Sequence, residues 1–418
     1  MREQEEINPD ILVWARESAG LDVEEAARKL ALGDSKNESG KEKLLKLERG
    51  ARFPTRSQLT KFSQTYRRPL IAFYMTARPK KAPRGQDFRS TGDNISPRDN
   101  ALLDTLLRDV RARQAMVRDI LEDLDEATPK SFVSSSTVAD GAEALAHQIS
   151  AVLHLPVRRS DWGTSPDEFF KRLRTETERL GVFVLLVGDL GSYQTALSEQ
   201  VFRGFAEADP IAPFIVINDH DARTARSFTL IHELAHIYIG KTGVSGMPEL
   251  VRENSEEGRI EQFCNDVAGL VLLPTSFTDR RPVELVREEK DPAASYIESV
   301  AKRWMVSESM VAFRLRRLGW ISASMYRELA ASYADRWESF KAVKKAANQL
   351  KEGGPDYYVL KQYRLGNALL GVVHRTLRES HLTHTKAAKV LGVKPSSVEP
   401  LLRRYEMSPA SLNREVTG

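Results

Sequence analysis

Residues 228–240 constrain this chain most, because they place two histidines four residues apart in an apolar stretch that ends at a glycine. Four residues are close to one helical turn, so the imidazoles of His232 and His236 fall on the same face of a helix. Two imidazole nitrogens at that spacing can bind one metal ion. Glu233 follows the first histidine and lies at the side of the same face, where its carboxylate can reach metal-bound water without being a ligand. The spacing therefore predicts a metal-binding helix.

The alternative is a core helix whose histidines are satisfied by hydrogen bonds. The apolar side chains of the stretch are Leu230, Ile231, Leu234, Ala235, Ile237 and Ile239. Three ionisable side chains in so apolar a helix would be costly to bury without a partner such as a metal ion. The spacing H-E-x-x-H is also that of zinc metallopeptidases, in which the metal lowers the pKa of water and the glutamate takes its proton. We therefore favour the metal site.

A second predicted helix, over residues 259–274, supplies candidates for a third ligand. Pro274 ends this helix, and Glu261 lies near its start, ahead of an apolar face. Glu261 would complete a set of two histidines and one glutamate, which leaves one coordination position open for water. A surface ion pair between Glu261 and Arg259 is the alternative interpretation of this residue. Three other acidic residues compete for the ligand position: Glu256, Glu257 and Asp266.

Two motifs allow a comparison with known families. The first reads Arg-Ser-Phe-Thr-Leu-Ile-His-Glu-Leu-Ala-His and ends at His236. The second begins at Glu261, reads E-x-x-C-N-x-V-A and continues to Leu-Leu-Pro. Together they resemble the ImmA/IrrE metallopeptidase family, whose second motif commonly runs E-x-x-A-N-x-F-A-x-x-L-L-x-P. Cys264 and Val267 depart from it only as small or apolar replacements, and the resemblance is strongest over residues 180–275.

The resemblance implies a zincin-like peptidase that holds zinc through His232, His236 and Glu261, with Glu233 as the catalytic base. The same donor set also suits manganese. The resemblance further implies a protein substrate, namely a repressor or antitoxin that is itself a small helix-turn-helix protein. Cleavage of such a protein would release the genes that it silences.

Residues 1–76 are predicted to form a helix-turn-helix domain of the lambda-repressor (XRE) type. Apolar residues recur at helical spacing in four segments between residues 9 and 75. The stretch Leu-Glu-Arg-Gly that begins at Leu47, followed by Pro-Thr, resembles that type of domain in particular. A polar insertion over residues 33–40 separates the second and third helices, where these domains keep a tight turn. We therefore expect little discrimination between DNA sequences.

Positive charge is concentrated in and after this module. Residues 41–89 contain 14 Lys and Arg against 3 Asp and Glu, although the net charge of the whole chain is only +4. Such a stretch can bind the phosphates of DNA by releasing counterions, whatever the base sequence. The alternative is a solvated basic face that docks on an acidic surface. The predicted DNA contacts are Lys41, Lys43, Lys46, Arg49 and Arg52.

Composition indicates a soluble chain in a reducing compartment. Cys264 is the single cysteine of the 418 residues, so an internal disulfide is excluded and a cytoplasmic location is expected. The sequence has no apolar run of membrane-spanning length and no signal-peptide core at its N-terminus. We therefore expect no membrane partner.

The expected fold class is α+β and predominantly helical, with a zincin-like peptidase core that contains a small sheet and is flanked by helix-turn-helix-like modules. A basic linker with three prolines is predicted over residues 77–99, and the peptidase domain over residues 100–277. The linker contains Asp-Phe-Arg, which is associated with the fused form of the family. Two further parts are expected after the peptidase domain. The first is a helix-turn-helix-like segment over 278–330, and the second is a C-terminal helical domain over 331–418 with a docking or sensing role.

Extended runs of β-branched and aromatic residues predict the sheet, over residues 182–187, 201–205 and 214–218. In zincins, a sheet edge near the metal can bind an extended substrate as an added strand. Residues 240–258 are polar and rich in glycine, which predicts a mobile loop over the cleft. Some donor must stabilise the oxyanion, although a capping or surface role is the main alternative for each candidate. The candidates are His220, Arg223, Arg226 and Tyr238.

These features together predict a zinc-dependent endopeptidase that regulates gene expression by cleaving a partner protein. The alternative is a DNA-binding regulator or antitoxin whose peptidase fold is catalytically silent. The intact Glu233 favours the enzyme, because a scaffold does not need a base beside two ligands. A zinc hydrolase that acts on something other than peptides is a third option. Helix-turn-helix modules commonly dimerise, so a homodimer is also expected.

Overall fold

A computed structural model describes residues 7–35, 37–79, 86–87, 95–156, 158–245, 255–274, 277, 281–285, 289–349 and 356–407. Within these ranges the chain forms sixteen α-helices and a sheet of five short strands, which confirms the predicted α+β, predominantly helical class. The helices are α1 (Pro9–Ser18), α2 (Val23–Lys29), α3 (Gly40–Glu48), α4 (Arg56–Tyr66), α5 (Pro97–Asp123), α6 (Ala142–Val152), α7 (Pro166–Arg179), α8 (Arg226–Tyr238), α9 (Glu256–Leu272), α10 (Lys290–Trp304), α11 (Glu308–Arg317), α12 (Ala323–Gln349), α13 (Tyr357–Leu365), α14 (Asn367–Arg378), α15 (His384–Leu391) and α16 (Val398–Glu406). The strands are β1 (Gln86–Asp87), β2 (Phe183–Leu186), β3 (Gly204–Glu207), β4 (Phe214–Ile217) and β5 (Gly243–Ser245).

The chain divides into two compact units. The first comprises Met1–Arg84, Thr91–Val110 and Leu190–Leu197, and the second comprises Gly85–Ser90, Arg111–Asp189 and Ser198–Gly418. The finer division into five parts stays a prediction. No described helix is long and apolar enough to cross a membrane.

In the first unit, α1 to α4 surround one apolar core. The side chain of an N-cap residue accepts a backbone N–H at the start of each helix, which satisfies one of the donors left free there. These N-caps are Asn8, Asp22, Ser39 and Thr55. The core side chains include Ile11, Leu12, Leu30, Leu44, Leu47, Leu59, Phe62 and Phe73. The four predicted helical segments are therefore present, while their assignment to the XRE type stays a prediction.

The predicted insertion between the second and third helices is also present, because α2 ends at Lys29 and α3 begins at Gly40. Ser35 and Glu38 pair with each other within it, so the insertion folds back on itself. A partly buried ion pair of 2.7 Å between Arg16 and Glu48 joins α1 to α3. The insertion thus lengthens the turn without separating α3 from the core.

In the second unit, the sheet has the strand order β1-β5-β3-β4-β2. Strands β2 and β4 are parallel, β3 is antiparallel to both β4 and β5, and β1 is parallel to β5. The strand predicted over residues 182–187 matches β2, and the strand predicted over residues 214–218 matches β4. The strand predicted over residues 201–205 begins later in the structure, where β3 starts at Gly204. Val201 and Phe202 form a turn instead, because both donate their N–H groups to the Ser198 carbonyl.

Two short strands correct the sequence prediction. Residues 86–87 form β1 within the predicted linker, which was expected to hold no packed element. Residues 243–245 form β5 within the predicted mobile loop, and α9 already begins at Glu256. Residues 246–254 of that loop lie outside the described residues. Strands of two or three residues are too short to show an alternation of apolar and polar residues. They form because they pair with neighbouring strands.

Helix α8 packs between the sheet and α9, and its residues from Thr229 to Tyr238 are all buried. Helix α6 covers the other side of α9. The predicted metal helix and the predicted third-ligand helix are therefore adjacent, as the positions of their apolar faces indicated. The C-terminal helices are tied to the same unit, because Arg174 of α7 donates to the carbonyls of Val184, Tyr363 and Arg364.

Candidate metal centre

Three side chains from α8 and α9 converge on one point inside the second unit. The Nε2 atoms of His232 and His236 lie 3.1 Å apart. The Glu261 carboxylate lies 2.9 Å from the His236 nitrogen through Oε1 and 3.3 Å from the His232 nitrogen through Oε2. Among the described residues these three form the one group of His, Cys, Asp and Glu side chains that could hold a metal ion.

The spacing of these atoms suits a zinc ion. Ligand atoms about 2.0–2.1 Å from zinc at tetrahedral angles lie about 3.3 Å from one another. The three distances found here, 3.1, 2.9 and 3.3 Å, are close to that value without any rearrangement of the helices. All three side chains are buried, so the site also offers the dry surroundings in which a metal binds strongly. The donor set and its geometry therefore fit the predicted ion.

The pKa values of His232, His236 and Glu261 depend on burial and on the charges of one another. Burial by itself would raise the pKa of Glu261, but the charges of His232 and His236 and hydrogen bonds from both lower it to about 2. Burial would lower the pKa of His232, yet the charge of Glu261 raises it. For His236, burial prevails and the pKa is lowered. Glu261 is thus held as a carboxylate, which is the form that binds a metal.

The competing acidic residues lie away from this point. Glu256 and Glu257 are exposed in the first turn of α9. Asp266 accepts hydrogen bonds from Arg317 of α11, at 2.6 and 2.9 Å. Arg259, the other partner considered for Glu261, is exposed, whereas Glu261 is buried between the histidines. Of the four carboxylates considered, only Glu261 therefore reaches both imidazoles.

Glu233 is fully buried beside the cluster, and its environment is the reverse of that of Glu261. Burial raises the pKa of Glu233 to about 8, an effect that His232 and the Ser245 hydroxyl only partly offset. The carboxylate lies against Gly204 of β3, where an added Cβ atom would come within 2.6 Å of Glu233 Oε1. A larger residue at position 204 would therefore have to displace Glu233 and Thr229.

Sequence reasoning did not identify Ser245 or Asn265 as site residues. The Ser245 hydroxyl of β5 lies 3.2 Å from Nε2 of His232 and also faces Glu233. Asn265 is buried one helical turn after Glu261 and helps to raise the pKa of His232. The motif placed Asn265 on the ligand face of α9, so that signal was available. Nothing in the sequence predicted that a short strand would carry Ser245 to the histidines.

The candidates for oxyanion stabilisation have other contacts in the described part of the chain. Arg223 pairs with Asp167. Arg226 donates to the Asp219 carbonyl at 2.7 Å, and His220 lies near the carboxylates of Asp189 and Asp219. The ring of Tyr238 is buried and packs 5.2 Å from that of Phe132. His220 and Arg223 are exposed, as the surface alternative expects, whereas Arg226 and Tyr238 are buried.

The five basic residues predicted to bind DNA fall into two groups. Lys41 pairs with Glu24 at 2.7 Å, Lys46 pairs with Glu38 at 2.9 Å, and Lys43 donates to the Gly33 carbonyl. The two arginines, Arg49 and Arg52, are exposed at the end of α3 and just beyond it. The insertion and α2 thus supply partners for the lysines, and the arginines remain the stronger candidates for phosphate contacts.

Comparison with known proteins gives one result for the second unit. Residues 178–316 match the Peptidase M78 family model, described as the IrrE N-terminal-like domain. The match spans α8 and α9, and so contains His232, Glu233, His236 and Glu261. It supports a zinc metallopeptidase of the IrrE/ImmA type in this part of the chain, with a protein as its substrate. No curated protein and no solved structure matches the chain.

Proposed function

We propose that this chain is a zinc-dependent endopeptidase that regulates gene expression by cleaving a partner protein. The observation that carries the proposal is the convergence of His232, His236 and Glu261, with Glu233 buried beside them. Of the two buried glutamates, one has its pKa lowered to about 2 and the other has its pKa raised to about 8. Such divergent pairs are typical of sites that separate ligand or electrostatic roles from proton transfer.

Zinc held by this donor set would supply the Lewis acidity that polarises a peptide carbonyl and lowers the pKa of water. The chain supplies the proton transfer. The Glu233 carboxylate takes a proton from the attacking water and later gives it to the leaving amine. With zinc bound beside it, Glu233 would be held in its carboxylate form, in which it can accept a proton.

The proposed substrate is a repressor or antitoxin with a helix-turn-helix fold. The N-terminal helices would bring the peptidase to a target on DNA, so local concentration would replace a deep specificity pocket. A flexible loop or terminus of the target would enter the site, because a helix hides its backbone from the metal. Exposed Arg49 and Arg52 and the excess of positive charge over residues 41–89 support weak, salt-sensitive binding of DNA.

Cleavage of a purified target tests this function. The zinc-loaded chain is mixed with the repressor encoded nearest to it, with and without DNA that carries the repressor's site, and products are followed by mass spectrometry. We expect one cut that needs both zinc and Glu233 and that is faster on DNA. Digestion of unfolded proteins in general would instead indicate a housekeeping peptidase. A chain that binds DNA and zinc but cuts nothing would favour the alternative, a regulator with a silent peptidase fold.

A further inference from the structure

Helices α14, α15 and α16 form a small module of the second unit that contributes no residue to the metal centre. Helix α15 ends at Leu391, and a 3₁₀ turn that leads directly into α16 begins at Pro395, so residues 392–394 alone connect the two helices. Gly392 has a φ of +62°, a left-handed conformation that glycine adopts at no steric cost. Two helices joined by so short a turn with a glycine are typical of a helix-turn-helix.

One face of each helix is buried inside this module, which leaves the opposite faces of α15 and α16 toward solvent. The buried side chains are Leu369, Leu370 and Val373 of α14, Ala387, Ala388 and Leu391 of α15, and Val398, Leu401, Leu402 and Tyr405 of α16. The exposed residues of the turn and of the other face of α16 are Lys394, Pro395, Ser396, Glu399, Pro400 and Arg403. The second helix of the motif is therefore open to a partner along its whole length.

The exposed side of the module carries positive charge that its carboxylates only partly offset. Lys389 and Lys394 are exposed, and neither forms an ion pair in the ranges that the structure describes. Arg403 is 72% exposed and lies 3.5 Å from Glu399. Beside the turn, the guanidinium of Arg113 lies 2.5 Å from the position that a Cβ atom on Gly392 would take. Such an arrangement suits a polyanion.

The other segment predicted to resemble a helix-turn-helix, over residues 278–330, differs in this respect. The arginines of its second helix, α11, have partners within the chain itself. Arg314 is buried, Arg317 donates to Asp266 at 2.6 and 2.9 Å, and Arg316 lies 5.2 Å from the ring centre of Tyr326. That segment uses its basic residues to pack, whereas α15 and the turn after it present theirs to solvent.

We propose that α15 and α16 bind duplex DNA, with the start of α16 in the major groove and Lys389 and Lys394 on the flanking phosphates. In this geometry the first helix crosses the DNA backbone, and the first residues of the second helix contact base edges. Ser396 and Glu399 are exposed at that position, and a glutamate can accept a hydrogen bond from the amino group of cytosine. This site is separate from the N-terminal one and does not depend on peptidase activity.

Buried polar contacts fix the module to the peptidase core. Glu178 of α7 is 5% exposed and accepts the N–H groups of Asn367 and Ala368, at the start of α14, at 3.0 and 3.2 Å. Arg174, one turn earlier on α7, donates to Glu178 at 3.1 Å and to the Tyr363 carbonyl. A duplex bound to α16 would therefore be held in a fixed orientation relative to the metal centre.

A salt-dependent binding measurement on the full-length chain tests this site. Arg49→Ala with Arg52→Ala is the background, because it removes the predicted N-terminal contacts, and Lys389→Ala with Lys394→Ala is added to it. We expect the affinity for a short duplex of mixed sequence to fall by about tenfold or more at low salt. The slope of log affinity against log salt should fall by about 0.9 for each of the two lost phosphate contacts.

The matched control, in the same background, is Lys290→Ala with Lys302→Ala. Both lysines are exposed, and they pair with Glu328 at 3.0 Å and Glu298 at 2.6 Å. This change also removes two positive charges but should leave the affinity and the slope nearly unchanged. Equal losses in the two lysine variants, or no loss in either, would overturn the proposal.

Cleavage of DNA by a tethered iron chelate locates the site independently of affinity. Cys264 is the single cysteine of the chain and is buried, so the chelate can be attached selectively to an introduced cysteine. Hydroxyl radicals from a chelate on Ser396→Cys should cut the duplex, whereas a chelate on Ser299→Cys, at an exposed position of α10, should not. Cuts from neither position, or equal cuts from both, would mean that α16 does not contact DNA. An acidic protein surface would then be the better partner for its positive charge.

Discussion

Two buried glutamates at this site have pKa values shifted in opposite directions, because different groups face them. Glu261 faces two imidazoles and is held ionised, with its pKa lowered to about 2. Glu233 lies on the adjoining helix in an environment where burial raises its pKa to about 8. In the proposed mechanism, Glu261 of α9 would bind the ion and Glu233 of α8 would carry protons.

Loss of Glu261 should abolish metal binding. Glu261→Ala removes one of three ligands, so zinc content should fall from about one per chain to a small fraction of that. Glu257→Ala is the matched control, because Glu257 is an exposed carboxylate four residues earlier on the same helix. Metal analysis of the purified proteins gives the answer. Full zinc content in Glu261→Ala would show that the third ligand is another group.

Addition of one methyl group at Gly204 should displace the base. A Cβ atom there would lie 2.6 Å from Glu233 Oε1 and 2.7 Å from Thr229 Cγ2, so Gly204→Ala forces both side chains to move. We expect a loss of roughly 1–3 kcal/mol in the free energy of unfolding, together with lower hydrolysis at full zinc content. Denaturant titration measures the loss of stability, and a cleavage assay on protein whose zinc content has been checked measures the loss of hydrolysis.

Gly269→Ala in α9 is the control for this change. A Cβ atom at Gly269 meets only Arg314 Cδ, at an ordinary 3.7 Å, and alanine favours a helix by about 0.5–1 kcal/mol over glycine. This variant should be as stable as the parent or more so. If Gly204→Ala is also as stable and as active as the parent, the contact with Glu233 does not constrain the base.

At the scale of the element, the two helices of the site were predictable because each carries its own pattern. The predicted segments 228–240 and 259–274 compare with α8 at Arg226–Tyr238 and α9 at Glu256–Leu272. The histidine spacing and the apolar face are local properties, and a helix expresses them wherever it packs. The pairing of Glu261 with both histidines also followed, since one apolar face on each helix leaves few ways to dock them.

The short strands could not be predicted in the same way. Gly243–Ser245 contains two residues that are common in turns, and only pairing with β3 and β1 makes it a strand. The same applies to residues 86–87, which lie in a polar stretch. Ser245 was missed for this reason, because its place beside His232 depends on a long-range pairing and not on local sequence. Strand β3 begins later than predicted because residues 201 and 202 belong to a turn that is closed by the Ser198 carbonyl. The prediction rested on the apolar content of residues 201–205, which does not distinguish a turn from a strand.

In the first unit, the partners of each basic side chain predict which of these side chains would contact DNA. Lys41 and Lys46 have carboxylate partners on α2 and in the insertion, whereas Arg49 and Arg52 are exposed. In the full-length chain, Arg49→Ala with Arg52→Ala should weaken binding to duplex DNA and reduce the slope of log affinity against log salt by about 0.9 per lost phosphate contact. Anisotropy titrations at several salt concentrations measure both quantities.

The matched control is Lys41→Ala with Lys46→Ala, which also removes two positive charges. Because each lysine already pairs with a glutamate, this change should alter the slope less. Equal effects of the two double variants would mean that binding depends only on net charge. Tight, salt-insensitive binding to one sequence would contradict the expectation of weak discrimination.

At the scale of the whole molecule, one chain joins a capped helical module to a metallopeptidase core. The sequence motifs predicted which side chains converge in the core, since residue type and spacing are local properties, and the roles of ligand and base stay predictions. The identity of the substrate depends on a surface formed by distant segments and on a second protein, and no local pattern encodes either. Dimer formation and the use of manganese in place of zinc stay predictions for the same reason.

Cleavage of a specific protein through Glu233 is tested most directly in cells. The proteins of cells that carry the intact chain are compared with those of cells that carry Glu233→Gln. The substitution removes the base but none of the three ligands, so zinc content should be unchanged while cleavage falls by about 10²–10⁴-fold. Quantitative mass spectrometry should find one protein depleted, with one new terminus, only in cells with the intact chain. Identical protein levels and termini in the two strains, at equal zinc content, would contradict the account.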